Sequence, residues 1–422
     1  MSTHRAISEQ PCFDPSVPLF MFATGIESSN PTINGRRVDQ MAASGHMHRW
    51  REDFALVKDL GCGFLRYGPP LHTTWLGEGR YDWTFADETF AALRSQGTYP
   101  IVDLCHFGVP NWIGDFQNPD FPRLFGGYAE AFARRFPWVQ LYTPVNEMYV
   151  CALFSGRYGW WNEQLSSEFG FVTAMKNLVG ANLAAMRAIL KVRPDAIFIQ
   201  SESAEQYHAE SPAAWANARH RNAERFLSLD LNYGHPVDAS MYEYLMDNGM
   251  TRQEYAGFRN TDLKRHCVLG TDYYQTNEHL VQDDGSTRSS GEVYGYATII
   301  QQYYNRYRLP IMHTETNLVD TAESDSTEWL WKQWANLLLL WEAPIPVLGF
   351  TWYSLTDQVD WDTALRENAG RVHPVGLYDL DRKPRRVAIA FRRLIEQWSK
   401  VLPARSLCLR LPLVPLRPDL ER

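Results

Sequence analysis

Eight short apolar runs punctuate the chain: 19–24 (LFMFAT), 63–67 (GFLRY), 99–105 (YPIVDLC), 139–144 (VQLYTP), 196–201 (AIFIQS), 268–274 (VLGTDYY), 310–315 (PIMHTE) and 346–353 (PVLGFTWY). Each is apolar throughout rather than alternating, the pattern of a strand covered on both faces in a parallel sheet. Amphipathic stretches lie between them. Over 48–60, Trp50, Phe54, Val57 and Leu60 recur at three- and four-residue steps, which predicts a helix. The stretch 84–97 opens on a Thr84-x-x-Asp87 capping signal. The stretch 325–341 opens on Asp325-x-x-Glu328, with Trp331, Trp334, Leu338 and Trp341 as its expected buried stripe. Eight strand–helix units predict an α/β chain folded as a (β/α)8 TIM barrel with extended loops. The competing open, doubly wound sheet announces itself by a glycine-rich turn after its first strand, whereas GCG at 61–63 precedes a strand. The loops after the fourth, fifth and sixth strands are the longest, and 279–293, polar and rich in Gly and Ser, is expected to be mobile. With no linker or internal repeat, residues 1–422 read as a single barrel domain, with an N-terminal arm over about 1–18 and a proline-punctuated tail over about 400–422.

Composition narrows the partners. With 45% apolar and 14% aromatic residues, the 422-residue chain can bury a large core. Its net charge of −8 and pI near 5.9 offer no basic field for nucleic acid or anionic lipid, and no apolar run is long enough to span a bilayer. The first residues lack a signal-peptide pattern and no Asn-x-Ser/Thr acceptor occurs, so a cytoplasmic protein is expected. The six cysteines lie far apart without a Cys-x-x-Cys pair and read mostly as buried thiols. His46-Met47-His48 imitates a metal pair but lacks a third ligand nearby, so no metal is expected. Gly-x-Ser-x-Gly, Walker and His-Glu-x-x-His motifs are missing, and no cofactor is predicted.

Two of the apolar strands end on glutamate. TPVNEM carries Asn146 and Glu147 just past the fourth strand, and IMHTETN carries Glu315 at the end of the seventh. Strand ends form the floor of a barrel's active face, and strands four and seven stand across its mouth from one another. Facing carboxyls there suit glycosidic bond cleavage, one protonating the leaving oxygen while the other attacks the anomeric carbon.

On these residues the chain resembles the glycoside hydrolase family 1 β-glycosidases, (β/α)8 barrel enzymes of the retaining class, in order and spacing from about residue 20 to 398. TPVNEM is similar to the family's Thr-x-Asn-Glu-Pro motif, which implies Glu147 as general acid/base and Asn146 as partner of the sugar 2-hydroxyl. MHTETN is similar to Thr-Glu-Asn-Gly, implying Glu315 as nucleophile. HRWREDFALVKDLGCGFLRY resembles the segment whose arginine, here Arg66, braces the nucleophile, and LGTDYY the one whose tyrosine, here Tyr274, hydrogen-bonds it. VDLCHF implies His106 as a sugar ligand. GFTWYSLTDQVDW resembles WSLLDNFEW and brings in Trp352, Tyr353, Asp360 and Trp361 as substrate contacts, with GLYDLDRKPRR similar to the segment that follows it.

The chemistry of these residues agrees with the implied roles. Arg66 and Tyr274 both favour an ionised Glu315. Glu147 has no cationic neighbour in sequence and would face a negative Glu315, which raises its pKa and suits it to act first as acid and then as base. Retention further implies carboxyls about 5–5.5 Å apart, against about 6.5–9.5 Å for inversion.

Several recognition positions depart from the family. Where it has Gln-x-Glu after the first strand, this chain offers Glu27, Ser28, Ser29 and Asn30. Asp360 replaces a glutamate, Tyr353 and Phe107 replace tryptophans, Asp272 an asparagine and Met148 a proline. Glu27 and Asp272 join the substrate-binding set. The expected function is a retaining β-glycosidase acting on a small-molecule β-glycoside or oligosaccharide whose glycone is not plain glucose. No phosphate-binding cluster appears near the eighth strand, although Arg366 and Arg371 are available to an anion. Two alternatives stay open: a catalytically silent carbohydrate-binding barrel, and a transglycosidase using the same glutamates. Neither nucleic acid nor membrane is expected as a partner, and a homo-oligomer is allowed.

Overall fold

The computed structural model describes residues 20–321, 325–399 and 401, so the expected arm and tail, with Cys12 and Cys408, lie outside the described residues. The eight apolar runs become β1 (Met21–Gly25), β2 (Phe64–Tyr67), β3 (Tyr99–Asp103), β4 (Leu141–Thr143), β5 (Ile197–Ser203), β6 (Cys267–Asp272), β7 (Ile311–Glu315) and β8 (Val347–Trp352). All pair in parallel with their sequence neighbours, and β8 returns to β1, closing a (β/α)8 barrel. The open-sheet alternative is thereby removed.

Every strand sends at least one side chain to the barrel axis. Met21, Ala23, Phe64, Ile101, Leu141, Ile197, Ile199, Val268, Met312 and Leu348 form a closed inner cluster. These side chains fill the barrel as a packed plug and leave its carboxyl-terminal rim for chemistry. The outward faces pack against surrounding helices, among them His46–Asp59, whose Trp50, Phe54 and Val57 are buried as its periodicity predicts.

Two local expectations are corrected. Helix Thr84–Gln96 is not capped by Thr84: Asp82 accepts from the Thr84 amide at 2.9 Å and Trp83 occupies the cap position. Helix Ser326–Glu342 does use Asp325 as cap, accepting from the Thr327 amide, but it buries Trp329, Leu330, Trp334, Leu337 and Leu340. Trp331 is exposed, and Leu338 and Trp341 are half-buried. This helix is apolar nearly all round, so periodicity alone does not set its phase.

The 279–293 segment, expected to be mobile, is built structure. Strands Glu278–Val281 and Thr287–Ser289 form a hairpin that pairs with Gln206–Ala209, and Glu278 is held by His208 at 2.7 Å. Cys62, Cys105, Cys151 and Cys267 are free and buried. Among the described residues no helix is long and apolar enough to cross a membrane, and no cluster of side chains suits a metal. His46 instead bonds Asp53 at 2.8 Å and Tyr67 at 3.3 Å inside the core.

Candidate active site

A cavity of about 320 Å³ opens at the carboxyl-terminal rim, lined by residues at or just past the strand ends: Glu27 after β1, His106 after β3, Glu147 after β4, Tyr274 after β6, Glu315 closing β7, and Gln358 and Trp361 after β8.

Glu315 is 4% exposed and held on both oxygens. Arg66 Nη1 donates to Oε1, and the Tyr274 hydroxyl donates to Oε2 at 2.6 Å. Arg66 is itself fixed, donating through Nη2 to the Asp103 carboxylate at 3.0 Å and to the side-chain Oδ1 of Asn146 at 2.7 Å. Burial opposes its charge, but the carboxylates of Glu315, Asp103 and Asp272 hold it firmly protonated. The Tyr353 ring lies 5.2 Å from the guanidinium. That ring needs Gly25, where a Cβ would meet it at 2.3 Å.

Glu147 shares the cavity but not the cation. It occupies the cap position of the short helix Met148–Ala152 with φ 39° and ψ 64°, but its side chain makes no capping hydrogen bond. Burial, then Asp272, then Glu315 push its carboxyl well above the ordinary glutamate range. The two glutamates therefore occupy opposite environments, one beside a fixed positive charge and one starved of it.

Of the other predicted residues, His106 and Glu27 line the cavity side by side. His106 Nδ1 sits 2.7 Å from Asp103, and its Nε2 faces Glu27 at 3.9 Å. Burial opposes its protonation, but Asp103 and Glu27 outweigh that and raise its pKa. Trp361 forms another wall, packed edge-on against Phe107. Five expected contacts are not on the cavity surface. Asn146 is wholly buried between Arg66 and His106. Asp272 is buried beneath the site, accepting from the Ser201 hydroxyl, and burial followed by Glu315 raises its pKa well above the aspartate range. Trp352 belongs to the outer core and donates its indole N–H to Val375. Asp360 accepts from the backbone amides of Ala369, Gly370 and Arg371 at 2.8–3.1 Å, which makes it the organiser of that loop. Tyr353 is buried behind the cavity wall and supports Arg66 from there. Arg371 is paired with Asp362 and Glu367, and Arg366 stacks on Trp160, so neither lines the cavity.

Sequence reasoning missed Asp103, which joins Arg66 to His106, and Gln358, whose amide donates to Glu27 at 3.0 Å from the opposite side of the β1–β8 seam. Asp103 ends β3 three residues before His106, so strand-end position was the available signal. Gln358 carried none beyond its place in the eighth-strand motif.

The model of the family described as Glycosyl hydrolase family 1 matches residues 27–339. The chain belongs to that family. Its barrel is similar to the family 1 β-glucosidase of Thermotoga maritima, with a TM-score of 0.75 at 16% identity, over 92% of this chain and 99% of that one. The same Thermotoga enzyme solved in complex with deoxynojirimycin gives 0.75 over 93% of this chain and 100% of that one. At such identity the likeness speaks for the fold. A curated rice (Oryza sativa subsp. japonica) protein named probable inactive beta-glucosidase 14 is 25% identical over 140 residues, 30% of this chain and 26% of its own length, so the chain spans about a quarter of that relative.

Proposed function

We infer that this family 1 protein is a retaining β-glycosidase working by double displacement. The observation that carries the reading is the unequal pair on one cavity: Glu315 bonded to Arg66 and Tyr274, and Glu147 buried without a cation and biased toward its protonated form. Glu315 attacks the anomeric carbon as the bond to the leaving oxygen breaks, and Glu147 gives its proton to that oxygen. The resulting glycosyl ester is uncharged, so one source of Glu147's raised pKa disappears. Glu147 then takes a proton from water as the water opens the ester, and Glu315 is regenerated.

Glycone recognition falls to Glu27, His106 and Gln358 rather than to Asp360. Among the described residues no lysine or arginine lines the cavity, which favours a neutral sugar over a phosphorylated or uronic one. The substitutions around β1 and β8 support a glycone other than plain glucose. The four free buried thiols suit a reducing, cytoplasmic setting.

The silent-barrel reading draws on the rewritten recognition positions and on the word inactive in the rice relative's name. One experiment separates the two: trapping with a panel of 2-deoxy-2-fluoro β-glycosides followed by peptide mapping. A sugar adduct on Glu315 is expected; sugar binding with no adduct and no turnover across the panel leaves the silent barrel.

A further inference from the structure

Glu147 holds the cap position of a helix without capping it. The first amides of a helix lack intrahelical partners, and an acidic or hydroxyl side chain at the cap ordinarily takes one of them. Here the Glu147 backbone is left-handed and its carboxyl faces the cavity, while the Tyr149 amide, in a residue that is fully buried, still needs an acceptor.

That acceptor comes from another strand. Glu202, near the end of β5 and 1% exposed, takes the Tyr149 amide on its two oxygens at 3.2 and 3.3 Å, and its Oε1 also accepts from the Ser203 amide at 3.2 Å. One residue earlier, the Ser201 carbonyl accepts the Glu147 amide at 3.0 Å. β5 thus grips the turn after β4 at two successive points, one on each side of the Glu147 side chain.

We propose that Glu202 is a positioning residue for the acid/base group: it caps the Met148–Ala152 helix in place of Glu147 and so frees the Glu147 carboxyl to face the substrate. Without Glu202, Glu147 holds the cap position, from which a side-chain oxygen can take the Tyr149 or Val150 amide, and capping its own helix withdraws its carboxyl from the cavity. Glu202 touches no substrate in this arrangement. The proposal rests on Glu147 being the acid/base residue, and the tests below keep the two ideas apart.

The variants are Glu202→Ala and Glu202→Gln, each assayed on a 2,4-dinitrophenyl β-glycoside, whose leaving group needs no proton, and on the matching alkyl β-glycoside, whose leaving group does. Glu202→Ala is expected to lose about 100-fold in kcat/KM on the alkyl substrate and less than about 5-fold on the dinitrophenyl one, the split of a displaced general acid. Equal losses on both substrates mean a general structural role and overturn the proposal. Glu202→Gln retains an accepting oxygen and is expected to restore the alkyl activity; an Ala-like split in Gln overturns the cap just as directly, and this arm stands if the Ala variant does not fold. A crystal structure of either variant reads the proposal without activity. The Glu147 carboxyl is expected on the Tyr149 or Val150 amide in Ala and in the cavity in Gln, and a Glu147 unmoved in Ala refutes the idea. A wild-type protein that turns over neither substrate defeats the glycosidase reading, while the crystallographic comparison still decides the cap.

Discussion

Glu315 is shaped by two hydrogen bonds, one from Arg66 on β2 and one from Tyr274 just past β6, and each can be removed singly. Tyr274→Phe deletes the 2.6 Å bond to Oε2 while leaving the ring in place. A hydrogen bond to a charged group is worth about 1.5–3 kcal/mol, so kcat/KM on an aryl β-glycoside is expected to fall about 10- to 100-fold. A loss under about threefold would show that the bond does not serve the reaction. Asp272 poses the opposite case. Its burial and its register beside Glu315 on β7 raise its pKa well above the aspartate range, and its negative charge in turn helps to raise that of Glu147. Asp272→Asn removes that charge and is therefore expected to lower the pKa of Glu147, moving the alkaline limb of the pH–activity profile to lower pH. An alkaline limb that stays in place would mean that Asp272 is protonated in the fold and adds nothing to the Glu147 carboxyl. At this scale the chain was legible where chemistry sits on a strand end, as with Glu315, Arg66 and Glu147. It was not legible where a loop turns a side chain away. Asp360, in a left-handed backbone conformation at φ 58°, hands its carboxylate to three amides, and Gln358 two residues earlier takes the cavity position instead.

The elements were readable because strand-length apolar runs separated by amphipathic helices leave few topologies open. Helix phase and loop structure were less so, since a helix apolar on every side and a polar, glycine-containing hairpin both take their form from long-range contacts. The loop after β4 shows how such contacts act. Arg157, at the end of the π-helical turn Leu153–Arg157, bonds both oxygens of Glu224 at 2.9 and 2.6 Å and also reaches Glu168 and Tyr244. Glu224 in turn receives the Tyr149 hydroxyl at 2.9 Å, tying the network to the helix that carries Glu147. Nothing in local sequence pairs residue 157 with residue 224. Removing one member of a buried ion pair costs about 3–5 kcal/mol, because the other charge is left without its partner. Arg157→Met is expected near the lower figure, as Arg221 remains 3.3 Å from Glu224. Urea unfolding measures the loss, and a change below about 1 kcal/mol would mean that Arg221 takes over the pairing.

At the scale of the whole molecule, the buried carboxyls make stability depend on pH in a direction opposite to that of exposed ion pairs. Burial pushes Glu163 and Glu202 to about 7, whereas an unfolded glutamate releases its proton near about 4.3. Between those values the folded chain binds more protons than the unfolded one, so the free energy of unfolding falls as pH rises. Glu224 runs the other way: burial opposes its charge, but Arg157 outweighs it and depresses the pKa, giving stability that is present above the unfolded value and is lost as pH falls through the folded one. Together these groups place maximum stability near about pH 5, with a decline toward pH 8. Glu163 is the cleanest probe. It lies outside the cavity lining, and its one bonded oxygen accepts from Gln117 at 2.9 Å. Glu163→Gln stays neutral throughout, so its melting temperature, measured at unit intervals from pH 5 to 8, should fall less steeply than that of the wild type. Each unit by which the folded pKa is raised corresponds to about 1.4 kcal/mol, which sets the scale of the gain at pH 8. Parallel curves for the two proteins would mean that Glu163 is already ionised in the fold, and the slope would then belong to Glu202 and Glu147.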